Sequence, residues 1–584
     1  MSSFLRHPLL YVFLFALFLR LLFLGVVPGG FTPDEVSQGY SAYSLLKTGL
    51  DEWGEFPIFS FKSFLDYKAP LLTWLMVPSI AVFGLNEFAV RFPSAIFGAL
   101  AVIPLYFLAR LLFESAKLFP SPAKGRAQGG VYIGFLSAFL LAISPWHLQF
   151  SRMALEANLI SFFFPLGLYF LIKSLDHPKF LPLSALVFSI SLYSYHAAKL
   201  FIPLFVITFL LVNIKKVQKI LPSPAKGRVQ GEVLVTILIV FILVFPLFIN
   251  TLFSKTGSRG ADLSISNLSL TDLNLIKSEQ YYSPLGKLTP ILPRIFSNKF
   301  TFFLDKFSEN YLSYMSPAFW FATGGWETTY SIIPGRGLLY IWQFPFVSIA
   351  LAYLGLNLLK GDISSKALFL WLFLAPLPAS ITKEGYRPNR ASAFLGLFEL
   401  LTAMGIVLVF NYLKPKLSTI NYRLATLLFT VSCFLFTAFY FHDYYVLTPI
   451  KFPDSLSFGY RASFAHIAPI QDQYSRILIS KGTQSQSLAA FYLQIDPREF
   501  QKATPSWQQK INARPIQYLD QMDHYSLGKL QFKELVWPED ADTDTLYLAQ
   551  SYAFSRLPDD RRTLYTVLTP DQKPLLDVFD FRTP

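Results

Sequence analysis

Cysteine is almost missing from this chain: Cys433 is the only one in 584 residues, and it sits inside the apolar run 427–441. No internal disulfide and no cysteine metal cluster can form, and the predicted role of Cys433 is packing. Charge is scarce as well, at 15% of residues against 53% hydrophobic and 17% aromatic, with a mean hydropathy of +0.42. That balance excludes an ordinary soluble globule and puts the chain in the membrane class. The sequence has no glycine-rich nucleotide loop and no His-Glu-x-x-His run. The formal charge of +13 comes without a basic stripe interleaved with aromatics, which argues against nucleic acid. Basic residues of a polytopic protein collect instead in its cytoplasmic loops.

What the chain has in abundance is long apolar runs. The first, residues 9–27, leads into Pro28-Gly29-Gly30 without a small-residue cleavage site, so it reads as a retained helix with the N-terminus cytoplasmic. Further spans are predicted over 91–113, 131–143, 155–175, 180–195, 200–214, 233–252, 338–359, 367–381, 391–410 and 424–441, for about eleven crossings in all. Two connecting loops are basic, one with Lys117, Lys124 and Arg126, the other with Lys215, Lys216, Lys219, Lys226 and Arg228, and both are expected inside. Each carries Ser-Pro-Ala-Lys-Gly-Arg, at 121–126 and 223–228, a string with no apolar face that reads as a tolerated loop insertion. Parity then favours residues 70–85, short and broken by Pro78, as an interfacial or re-entrant helix rather than a crossing. The resulting plan is an all-α polytopic domain, 1–441, with a first outer loop at 28–91 and a large outer loop at 253–336. A small α/β domain over 442–584 follows, on the outer face, its first clear strand at Arg476-Ile477-Leu478-Ile479.

Polar residues gather in the outer segments. Asp34 and Glu35 follow the first helix in Thr32-Pro33-Asp34-Glu35; acids beside a bilayer are costly unless hydrated, paired or used, and this string is also a reasonable helix start. One acid is therefore expected to work and the other to cap. Tyr67 and Lys68 come next. In the segment 144–156, Arg152 and Glu156 are four apart, so on a helix they either pair or line the same pocket. Tyr195, His196 and Lys199 mark another outer helix end, where a histidine is commonly structural and a lysine commonly snorkels. The loop Thr382 to Arg390 concentrates Lys383, Arg387 and Arg390 on the side that the positive-inside rule disfavours, which calls for an anionic partner such as a lipid-linked phosphate. A metal at the outer site, were there one, would be a hard divalent cation on oxygen ligands such as Asp34 and Glu156.

Taken in order, these residues resemble the GT-C superfamily of integral-membrane glycosyltransferases, near the branch of the dolichyl-phosphate-mannose protein mannosyltransferases and lipid A aminoarabinose transferases. The likeness rests on the Asp-Glu pair after the first helix, Lys68-Ala69-Pro70-Leu71-Leu72-Thr73-Trp74, Phe83-Gly84 followed by Val90-Arg91, and the Ser-Pro…Arg…acid segment ending at Glu156. It covers the first two hundred residues or so, and 379–394 more loosely. The resemblance implies a multi-pass enzyme of the plasma membrane that moves a sugar, with inversion, from a polyprenyl phosphate to a hydroxyl of a protein, lipid or glycan on the outer face. By the same resemblance Asp34 is the base, Lys68 holds the donor phosphate and Glu156 is a second acid; their charge makes Arg387 and Arg390 further candidates for that phosphate, and Tyr67, Arg152, Tyr195, His196 and Lys199 are the candidates for the pocket. The chain departs from the aminoarabinose transferases at Tyr67, where they carry an acid, and at Glu156, where they carry aspartate. An activated lipid donor needs no nucleotide site. The rival readings are a transporter or flippase of a lipid-linked sugar, for which midplane sites and repeated halves would speak, and an inactive scaffold whose tail binds a partner.

Overall fold

The computed structural model describes residues 8–63, 66–114, 123–220, 227–253, 264–325, 333, 335–448, 456–482, 484–513, 516, 519–551 and 560–582. Helix dominates. Among the described residues, seven helices are long and apolar enough to cross a membrane: Glu87–Glu114, Glu156–Ser174, Gly231–Thr251, Ile341–Leu358, Ile363–Ser380, Arg390–Leu413 and Thr419–Leu447. The pair Gly129–Ile143 and Pro145–Arg152, bent by 57°, makes an eighth if taken as one span. The chain is a multi-pass membrane protein.

Four further apolar helices among the described residues are shorter: Pro8–Leu21, Leu71–Phe83, Pro178–Ser191 and His196–Val212. The end of the first, α1 (Pro8–Leu21), has a visible cause. Its last carbonyls, Leu19 O and Arg20 O, are taken by the Arg152 guanidinium at 2.8 and 3.0 Å, and the chain then turns through residues 22–27 towards Pro28. The repeated basic strings lie largely outside the described residues; what is described of them, 123–126 and 227–228, is helical backbone rather than loop.

Contacts divide the chain into two compact units that do not follow a single cut in the sequence. The first holds Met1–Leu17, Phe97–Gln149 and Ala157–Phe436; the second holds Phe18–Ile96, Phe150–Glu156 and Thr437–Pro584. The first unit contains most of the apolar helices. Gly231–Thr251, in this unit, and Thr419–Leu447, which passes from the first unit into the second at Thr437, bury almost none of their apolar surface within the protein, as suits helices that face hydrocarbon.

The second unit is built around helix α2 (Pro33–Thr48). Thr32 caps it in a full capping box: its hydroxyl accepts from Glu35 N at 3.1 Å, and Glu35 Oε2 accepts from Thr32 N at 2.9 Å. Pro33 fits the first turn, where no backbone donor is needed, and Gly49 ends the helix at φ 77. A hairpin of β1 (Phe61–Ser63) and β2 (Asp66–Lys68) follows, then α3 (Leu71–Phe83), which packs on α2, and α4 (Glu87–Leu100). At 13 residues α3 is about 20 Å long, too short for a bilayer core of about 30 Å.

The tail wraps the same helix. Its six-stranded sheet comprises β3 (Arg476–Ser480), β4 (His524–Leu527), β5 (Leu530–Lys533), β6 (Thr545–Gln550), β7 (Arg562–Leu568) and β8 (Pro574–Asp580), ordered β4-β5-β3-β6-β8-β7. β3 runs parallel to both neighbours, the other pairs antiparallel. A central strand buried on both faces reads as a continuous apolar run, and Ile477, Leu478 and Ile479 are all fully buried. The helices Ser485–Tyr492 and Pro497–Ala513 pack on α2. Tyr40 donates its hydroxyl to Ile495 O at 2.9 Å, while Gln501 Nε2 donates to Ser44 Oγ, Thr48 Oγ1 and Asp51 O at 3.1, 3.0 and 2.9 Å. Gly30, at φ +94, lies against Leu456 so closely that a Cβ there would strike its carbonyl oxygen.

Candidate active site

Two carboxylates adjacent in sequence have different environments. Glu35 is fully buried, and its oxygens are used up: Oε1 accepts from Arg91 Nε at 2.8 Å and Ala154 N at 3.0 Å, Oε2 from Thr32 N at 2.9 Å and Arg91 Nη2 at 3.4 Å. Arg91 spends its remaining donors on the carbonyls of Leu24, Pro28 and Gly30. The sequence put Arg91 at the edge of the outer loop; it is instead a fully buried residue one turn inside α4, and its work is to tie the stretch after α1 to the start of α2. A buried pair this well bonded holds a structure together because losing one partner strands the other's charge. Glu35, carried from the sequence as a catalytic candidate, is the capping acid.

Asp34 is the open one. Its side chain keeps 17% exposure and pairs with Lys68 Nζ, itself 2% exposed. The pairing follows from geometry on both sides. Asp34 and Ser37 are three apart on α2 and so share a face. In the hairpin register Phe61 faces Lys68 and Ser63 faces Asp66, which puts Ser63 and Lys68 on one side of the ribbon. Ser63 Oγ meets Ser37 Oγ, and Ser37 Oγ also donates to Glu52 Oε1 at 3.4 Å. The serine contact and the ion pair are thus two rungs of one helix-to-hairpin seam. Tyr67, on the other side of β2, is half-buried, with its phenol pushed up to about 12 by burial and by the charges of Glu55 and Asp51.

The residue that holds the hairpin's approach was missed in the sequence. Asp51 is fully buried; Oδ1 accepts from Trp53 N and Glu55 N, both at 2.9 Å, and Oδ2 from Lys62 N at 3.2 Å. Desolvation, resisted by those backbone donors and helped by the charge of Glu55, pushes the carboxyl up to about 6. The available signal was the Asp-x-x-Gly turn just after the glycine that ends α2. Lys62 is fixed in turn by the Trp53 ring, 3.9 Å away, and by Gln508 Oε1 at 2.5 Å.

Arg152 and Glu156 do not share a helix. The helix Pro145–Arg152 stops at Arg152 and a 3-10 turn begins at Glu156, so the four-residue spacing has no helical meaning here. Arg152 is buried and structural: beyond Leu19 O and Arg20 O it donates to Val27 O at 2.9 Å and Tyr444 Oη at 3.2 Å, with its guanidinium 4.9 Å from the Tyr445 ring centre. Glu156 is 8% exposed, two residues past the Ala154 amide that bonds Glu35.

The remaining candidates belong to the first unit. Tyr195, His196 and Lys199 are half-buried at the start of the helix His196–Val212. Arg387 pairs with Glu384 at 2.6 Å, and Arg390 reaches the same carboxylate at 3.8 Å while donating to Thr382 Oγ1 at 2.7 Å. The loop's cations are thus matched in part by its own acid. Among the described residues, no three His, Cys, Asp or Glu side chains are grouped to hold a metal.

A family model described as dolichyl-phosphate-mannose-protein mannosyltransferase matches residues 67–119, from Tyr67 and Lys68 through the span that contains Arg91. ArnT from Cupriavidus metallidurans in the apo state aligns with a TM-score of 0.50 at 12% identity, over 100% of this chain and 99% of that one. The fold is like that of ArnT. ArnT bound to undecaprenyl phosphate gives 0.49 at 13% identity, over 98% and 99% of the two chains. The oligosaccharyltransferase AglB from Archaeoglobus fulgidus, in complex with an inhibitory peptide and a dolichol-phosphate, gives 0.48 at 13%, over 83% of this chain. This chain spans 64% of the length of AglB. No curated protein matches the sequence. At 12% identity the likeness to ArnT is one of fold.

Proposed function

We propose that this protein is an inverting glycosyltransferase that moves a sugar from a polyprenyl phosphate to a hydroxyl acceptor on the outer face of the membrane, with Asp34 as the general base. The observation that carries the reading is the Asp34–Lys68 pair, a part-exposed carboxylate held by a buried lysine at the start of a helix, beside a neighbour acid that is wholly occupied. The family model over residues 67–119, which is named for a dolichyl-phosphate sugar, supports the choice of donor class.

In the reaction the acceptor oxygen attacks the anomeric carbon opposite the phosphate. Its proton passes to an Asp34 oxygen, the carbon–oxygen bond to phosphate breaks, and the bonding pair leaves with the polyprenyl phosphate. A positioned base of this kind contributes ~10²–10⁴-fold. Lys68 has three donors, enough to hold Asp34 and still meet a phosphate oxygen as its charge develops. Glu156 is the second acid of the site.

The test is direct. Purified protein in detergent is given a polyprenyl-phosphate sugar with and without a membrane extract from cells lacking the protein, which supplies the acceptor. Release of free polyprenyl phosphate only when extract is present supports the reading; no release, or release indifferent to acceptor, refutes it.

A further inference from the structure

The described part of the large outer loop, residues 264–325, belongs to the first unit and is fastened to the end of a span. Asn310 Nδ2 donates to Ser380 O and Thr382 O at 3.3 and 2.7 Å, Ile265 N to Ile381 O at 3.0 Å, and the Tyr311 hydroxyl to Phe373 O at 3.0 Å. The span Ile363–Ser380 ends at the first three of these carbonyls, and Phe373 lies two turns inside it. The loop is therefore held at the level where hydrocarbon gives way to headgroups.

Residues 281–300 of that loop are unusual in two ways. Large apolar side chains stand out from the unit: Tyr281 is 82% exposed, Tyr282 79%, Leu288 72%, Ile291 66%, Phe296 61% and Phe300 67%. Between them lie Lys287, Arg294 and Lys299, with no acid anywhere in the stretch. Acids flank it, at Glu279 before and at Asp305 and Glu309 beyond. Exposed tyrosines and apolar chains interleaved with cations are what the boundary of an anionic bilayer selects: the rings sit at headgroup level, the aliphatics dip below, and the cations meet lipid phosphates.

We propose that residues 281–300 form an interfacial membrane anchor, with Leu288, Ile291, Phe296 and Phe300 seated in the headgroup–acyl boundary and Lys287, Arg294 and Lys299 on anionic lipid phosphates. The inference rests on the membrane-spanning reading of the flanking helices and is independent of sugar transfer. A protein partner as the occupant would have no need of uniform positive charge, nor of a position level with a span end.

The experiment uses the full chain with Cys433→Ala, carrying one cysteine at Leu288 or Phe296 labelled with an environment-sensitive fluorophore, in nanodiscs of zwitterionic lipid with and without phosphatidylglycerol. Glu309→Cys gives the reference, since Glu309 is 63% exposed and paired with Lys306. Expected are a blue shift at both anchor positions and quenching by lipids spin-labelled high on the acyl chain, stronger with the anionic lipid. That dependence on anionic lipid is lost when Lys287, Arg294 and Lys299 are all changed to Gln, a set of exposed-segment changes that leaves every anchor side chain in place. Water-like emission at both positions, or shielding that spin-labelled lipid does not quench, overturns the proposal, the second outcome by showing a protein occupant.

Discussion

Asp34 and Lys68 meet as an ion pair with the lysine 2% and the acid 17% exposed, while Glu35, next in the chain, is buried completely. One acid of the pair is reachable from outside the protein and the other is not. That asymmetry separates chemistry from architecture within a single helical turn.

If Glu35 is architecture, Arg91→Met and Glu35→Ala should each destabilise the fold by about 3–5 kcal/mol, because each strands a buried charge. Thermal unfolding in detergent measures it. The double variant Glu35→Ala/Arg91→Met should recover part of that loss, since neither charge is then left alone. Equal or greater damage in the double variant would count against the pairing as the source.

Arg152 holds Leu19 O, Arg20 O and Val27 O at once. The guanidinium reaches them from two nitrogens, Nη1 to Leu19 O and Arg20 O and Nη2 to Val27 O, where a lysine has a single one, and each buried carbonyl left unmet costs about 1–3 kcal/mol. Arg152→Lys is thus expected to lower the unfolding midpoint while leaving the KM for donor unchanged; a raised KM with normal stability would return Arg152 to the pocket.

Asp51 predicts a pH effect of definite sign. Its carboxyl moves from an ordinary 3.8 up to about 6 on folding, so the folded state holds a proton that the unfolded state releases. The resulting stabilisation is complete below about 4 and is lost as pH rises through about 6. Unfolding midpoints should fall across that window in the parent protein, and the fall should be shallower in Asp51→Asn. An identical slope in both would remove Asp51 as its origin.

Much of this was readable from the chain, and the rest was hidden for identifiable reasons. Apolar run length marked the spans, but not where α1 stops, because that end is set by a guanidinium from residue 152. The strand at Ile477-Leu478-Ile479 announced itself as a doubly buried run, whereas the order of the sheet depends on long-range pairing that no local pattern records. Thr32-Pro33-Asp34-Glu35 could be read as a helix start with one acid to spare; which acid caps is decided by the reach of Glu35 back to Thr32 N and across to Arg91. Lys68 was visible as a lone cation, yet its meeting with Asp34 depends on hairpin register. The four-residue spacing of Arg152 and Glu156 did not carry over because the helix ends at Arg152.

The central claim is that Asp34 takes the acceptor's proton, and the most direct measurement is the initial rate of acceptor-dependent polyprenyl-phosphate release by Asp34→Asn, with unfolding midpoint and donor binding measured on the same sample. The expected result is a rate lower by ~10²–10⁴-fold with folding and donor binding retained. Release at the parent rate from a folded Asp34→Asn protein would contradict it.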